Sequence, residues 1–77
     1  MRFEIIMNMP VKKGDLVHRL IVEHPAQSLE QFVDELTEFD FVIVEEFFPD
    51  DTIRDYKSHG MIALNRRVVG KIKKWER

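Results

Sequence analysis

The sequence predicts an α+β fold in which one helix packs on a mostly antiparallel sheet, in the order β-β-α-β-β with room for a fifth strand. Three observations carry this. Several short segments alternate apolar and polar residues with a period of two. One segment, Leu29–Phe39, repeats its apolar residues at helical spacing instead. A single amphipathic helix needs a flat apolar surface to cover its stripe, and a sheet is the simplest one.

Residues 2–9 place Phe3, Ile5, Met7 and Met9 on one face and Arg2, Glu4 and Asn8 on the other with Ile6, which reads as a half-buried strand. Pro10 ends it, and Val11–Asp15 supplies a turn in which Gly14 is free to take a positive φ. Residues 16–24 are rich in branched side chains and read as a second strand, with Leu16, His18, Leu20 and Val22 on its inner face. The two strands predict a hairpin with a loop longer than two residues.

Pro25 ends the second strand, and Ser28 followed by Gln31 is a capping-box pattern in which each side chain satisfies the other residue's backbone N–H. Leu29, Phe32, Val33, Leu36 and Phe39 form the predicted buried stripe; Glu30, Asp34, Glu35 and Glu38 face away. Residues 41–48, FVIVEEFF, are the strongest strand in the chain. Phe41, Ile43 and Phe47 compete with Val42, Val44 and Phe48 for the inner face, so the strand is central or covered by a partner. Residues 49–60 read as a connection, with Asp51 capping one helical turn through Tyr56 and Gly60 ending it. Residues 61–65 and 68–75 read as two short strands joined by a tight turn at Asn65–Arg66–Arg67. This order is similar to small α+β folds such as the β-grasp. A small Sm-like or SH3-like barrel, with residues 61–75 as its last two strands, is the alternative.

The chain has 77 residues, which suits one domain over 1–77 with a small core. It has no cysteine, so disulfide scaffolds, thiolate zinc sites and cysteine nucleophiles are excluded. No apolar run is long enough for a membrane span, and Glu4 interrupts the only stretch that resembles a leader. The expected location is the cytoplasm.

The net charge of −2 conceals two blocks. Residues 28–55 hold ten acids and one base, whereas residues 56–77 hold seven bases and one acid. Exposed charge often serves solubility alone. As a binding surface, the acidic block with exposed aromatics would dock on a basic protein surface, including one that normally holds nucleic acid. The residues singled out for this are Glu30, Asp34, Glu35, Glu38, Glu45, Glu46, Phe48, Asp50 and Asp51. The rival surface is the basic tail, with Arg66, Arg67, Lys71, Lys73, Lys74 and Trp75 contacting phosphates and a base.

Catalytic chemistry finds little footing. His18 and His24 lie six residues apart, roughly 20 Å along a strand, too far to share a metal. They read as strand residues, and His59 as a turn residue beside Gly60. Glu45 and Glu46 point to opposite strand faces, and Asp50 and Asp51 read as a turn and a cap. No glycine-rich phosphate loop or nucleophile elbow occurs. Met1, Met7, Met9 and Met61 read as core filling. Phe41, Phe47, Phe48, Tyr56 and Trp75 exceed what a small core covers, so one or two should be exposed and available to a partner or a second copy. The expectation is a non-catalytic interaction protein without cofactor, metal or small-molecule substrate. A stoichiometric inhibitor of a nucleic-acid-handling complex, such as a phage anti-CRISPR protein, is one form of it.

Overall fold

A computed structural model describes residues 1–8 and 19–76. It contains β1 (Arg2–Met7), β2 (Arg19–Glu23), α1 (Leu29–Glu38), β3 (Phe41–Asp50), β4 (Asp55–Asn65), a 3-10 turn (Arg66–Val68) and β5 (Val69–Lys74). The fold is α+β: the five strands form one sheet in the order β4-β3-β2-β1-β5, and every pairing is antiparallel. The predicted turn at 10–15, and the placement of Met9, Leu16 and His18, lie outside the described residues.

The period-two readings are borne out where they are described. Phe3 and Ile5 on β1, Leu20 and Val22 on β2, Val42 and Val44 on β3 and Leu64 on β4 are buried together under Phe32 and Leu36 of α1. The Phe3 and Phe32 rings are 4.5 Å apart and seat the helix on the sheet. Ser28 caps the helix by accepting from the Gln31 N–H at 3.1 Å. Gln31 does not return the bond to Ser28; its side-chain oxygen accepts from the Gln27 N–H at 2.8 Å, one residue earlier. The predicted stripe is too wide. Val33 and Phe39 are exposed, because the helix lies on the sheet through Phe32 and Leu36 and those two residues flank the contact.

The main correction falls on residues 49–60. They are not a connection, and no helical turn runs from Asp51 to Tyr56. β3 continues to Asp50 and β4 begins at Asp55, with a turn at 51–54. Asp50, rather than Asp51, supports that turn, accepting from the Thr52 N–H at 2.9 Å. Arg54 takes φ 53°, the left-handed conformation that turns the chain back. Gly60 terminates nothing. The β3–β4 register steps from Glu45↔Met61 to Phe47↔Ser58, so β4 carries one extra residue there. Gly60 sits in that bulge with φ 93°, which a side-chain-bearing residue rarely adopts. His59 is therefore a strand residue, its ring 4.8 Å edge-on from Phe48.

A bulge bends its strand, and this one marks where the sheet curls. β4 and β5 are at opposite ends of the strand order, yet Tyr56 and Trp75 meet edge to face at 4.8 Å. The far half of the β3–β4 hairpin thus arches over the sheet face opposite the helix. Beneath it Ile21 is 4% exposed and Phe47 8% exposed. The Arg2 guanidinium lies 4.3 Å from the Phe47 ring centroid and 5.8 Å from that of Trp75. The molecule has a main core under α1 and a smaller cluster under the hairpin. Met61 and Met1 belong to neither: both are exposed, against the core-filling expectation.

Candidate interaction surface

The nine residues singled out are spread over the helix, both faces of β3 and the far end of the β3–β4 hairpin. Glu30, Asp34 and Glu38 recur every four residues and share the solvent face of α1. Glu35 is drawn inward, its carboxylate 3.2 Å from Nε2 of the buried His24. The other His24 nitrogen, Nδ1, accepts from the Ala26 N–H at 3.0 Å, and the ring packs edge-on against Phe32. This histidine pins the β2–α1 connection to the helix, so both of its nitrogens have structural partners. Glu45 and Glu46 fall on opposite sheet faces, since their β2 partners are Glu23 and Val22. Phe48, Asp50 and Asp51 lie far along the β3–β4 hairpin. The nine residues do not form one patch.

The basic tail is likewise dispersed. Arg66 is engaged: it donates to the Thr37 carbonyl at 2.9 Å and faces the Asp40 carboxylate at 3.4 Å. Lys74 pairs with Glu76 at 2.9 Å, and Lys73 stands opposite Glu4. Trp75 has Tyr56 against it and Arg2 over its ring, so it is occupied as a stacking surface. Arg67 and Lys71 have no acidic partner among the described residues.

A coherent surface appears elsewhere. On the face of β3 and β4 that the helix leaves bare, Phe41 is 56%, Ile43 57% and Met61 65% exposed. Ile43 stands opposite Ala63, and Met61 stands opposite Glu45, which places these side chains side by side on one face. Next to Met61 is a recess of about 280 Å³ lined by Met1, Glu23, His24, Pro25, Glu45 and Met61. The apolar strip therefore has two carboxylates at one end. The Glu45 carboxylate is oriented by the Ser58 hydroxyl, which donates to it at 2.6 Å.

Sequence reasoning singled out Glu45 and the exposed aromatics, Phe41 among them, but passed over Ile43 and Met61. The signal was present: Phe41, Ile43 and Glu45 are two apart, as are Met61 and Ala63. What was missing was the choice of inner face for residues 41–48.

Among the described residues no three His, Cys, Asp or Glu side chains are placed to hold a metal ion. No helix among them is long and apolar enough to cross a membrane. The chain matches no family model, no curated protein and no solved structure.

Proposed function

We propose that this chain is a non-catalytic protein-interaction domain whose contact surface is the bare face of β3 and β4. The observation that carries this reading is the run of Phe41, Ile43 and Met61, three large apolar side chains each more than half exposed on paired strands. Contiguous apolar surface of this kind marks interfaces. Glu45 at its end, beside a Glu23 whose carboxylate also faces the Arg2 guanidinium at 3.8 Å, gives the matching partner surface a chemistry: apolar at the centre and basic at the rim. Complementary charge speeds such an encounter and sets its register. Basic surfaces of that kind are common where a protein holds nucleic acid. A stoichiometric inhibitor of a nucleic-acid-handling complex, including a phage anti-CRISPR protein, is the biological role this reading favours. The acidic helix face of Glu30, Asp34 and Glu38 would add long-range attraction.

The architecture supports the small-barrel alternative over the β-grasp. The five-strand order, the 3-10 turn before the last strand and the curl that joins Tyr56 to Trp75 all resemble an SH3-like barrel with a helix inserted between β2 and β3. That likeness carries no function by itself.

The test compares wild type with Ile43→Lys and Met61→Lys as bait in extracts of the source cell. A stoichiometric partner that is held by wild type and lost by both variants, whose circular dichroism is unchanged, supports the reading. A partner held equally by all three refutes it. Light scattering on the purified protein adds a second outcome. A mass of twice 9.2 kDa that returns to 9.2 kDa in the Ile43→Lys variant would reassign the face to self-association.

A further inference from the structure

The opposite end of the sheet holds a second, independent feature. Among the described residues β5 is its last strand, with β1 on one side only. The Trp75 N–H donates to the Arg2 carbonyl at 3.0 Å. In an antiparallel pair the bonded residues alternate, so Lys74 and Ile72 turn their N–H and C=O groups away from β1 and toward the open edge. Along this edge runs a groove of about 550 Å³ between β5 and α1. Leu29, Val33 and Leu36 of the helix and Val69 and Ile72 of the strand line it, and Arg67 and Lys71 stand on its rim.

We propose that this groove accepts an extended acidic peptide, which adds to β5 as a sixth strand. Val33 lines this groove and is 37% exposed, and one more strand beside β5 would bring apolar side chains to it. A strand as long as β5 spans about 20 Å, with every second side chain directed at the helix. Backbone bonds to Ile72 and Lys74 would supply affinity, and alternate side chains specificity, as in other edge-strand recognition. The rim selects the charge. Arg67 and Lys71 are unpaired cations among the described residues, so glutamate or aspartate at the peptide's outward positions would neutralise them. The same cations disfavour a second copy of β5, whose Lys71, Lys73 and Lys74 would meet their own kind.

The experiment uses the full chain and a labelled, end-capped eight-residue peptide that alternates valine and glutamate. Fluorescence anisotropy gives affinity, and amide NMR shifts give location. Three controls accompany it: a valine–lysine peptide, the valine–glutamate peptide with N-methylated backbone, and an oligothymidylate. The expected result is binding of the acidic peptide alone, with the largest amide shifts at Ile72 and Lys74. Affinity should fall about tenfold or more in Arg67→Glu/Lys71→Glu, as two attractive contacts become repulsive. Ile43→Lys should bind the peptide as wild type does, so failure here is separable from failure of the β3–β4 face. Absence of binding, equal binding of the lysine or N-methylated peptide, or tighter oligonucleotide binding lost in the same double variant would each overturn the proposal. The last of these would assign the groove to nucleic acid.

Discussion

Truncating Tyr56 and Trp75 to alanine, singly and together, tests whether the β3–β4 hairpin is held over the sheet. The two rings meet at 4.8 Å with an interplanar angle of 73°. Edge-to-face pairs of this geometry contribute about 0.5–1.5 kcal/mol beyond their area burial. Both residues are half-buried, so each single truncation should cost less than the ~3–5 kcal/mol of a fully buried aromatic. Loss of Trp75 also removes the more distant of the two rings near Arg2, while the 4.3 Å contact with Phe47 remains. That contribution appears in the Trp75→Ala variant and in the double variant alike, so it cancels from the cycle. The double variant should therefore be more stable than the sum of the single losses implies, by about 0.5–1.5 kcal/mol. Urea unfolding followed by far-ultraviolet circular dichroism is the assay, because one variant lacks the chain's sole tryptophan. The same tryptophan gives a second readout, since Tyr56→Ala should shift its emission to the red. Single losses that add within about 0.3 kcal/mol, together with an unmoved emission maximum, would show that the hairpin does not close on the tail.

Two further outcomes concern the core and the bulge. Phe32→Ala should cost about 3–5 kcal/mol, a large share of the roughly 4–12 kcal/mol expected for a chain this long. Phe39→Ala should cost less than about 0.5 kcal/mol, because that ring is exposed; equal losses in thermal melts would contradict the helix orientation. Gly60→Ala should destabilise by about 1–2 kcal/mol. Nothing lies within 4 Å of an added Cβ there, so the loss would come from the positive φ alone; an unchanged urea midpoint would refute that backbone assignment.

The fold class was legible because it rests on local patterns. The alternation of Phe3 with Ile5 and of Leu20 with Val22, the Ser28 cap and the helical spacing of Phe32 and Leu36 are each contained within a few residues. The hairpin at 49–60 was not. Its composition, PDDTIRDYKSHG, is polar and turn-like, because all of this arm but the half-buried Asp50 and Tyr56 is exposed. Asp–Asp followed by Thr is a pattern shared by helix caps and Asx turns, and only the Asp50–Thr52 bond tells them apart. Gly60 was ambiguous for a similar reason, since a positive φ serves a bulge as well as a helix end.

The acidic block looked like one surface because its residues are close in sequence. Helical and strand periods scatter them: Glu35 turns inward to His24, Glu45 and Glu46 part across the sheet, and the hairpin carries Asp50 and Asp51 away. The β5–α1 groove was hidden for the opposite reason, since its walls come from residues more than thirty positions apart.

The sequence by itself determined the elements: where apolar periodicity is two, where it is 3.6, and where proline, a capping serine or a polar break interrupts it. It also determined that aromatic surface exceeds the core. Which aromatics are left over was decided by tertiary structure. Residues 41–48 are apolar on both faces, so local pattern gives either face equal claim to the helix. The choice follows from pairing with β2 and β4, which puts Val42 and Val44 under α1 and Phe41 and Ile43 outside it. The bulge at Gly60 then bends the hairpin over Phe47 but leaves Phe41, Ile43 and Met61 uncovered. A strand's two faces are equivalent until neighbouring strands and the curl of the sheet distinguish them, and that distinction created the surface on which the proposed function rests.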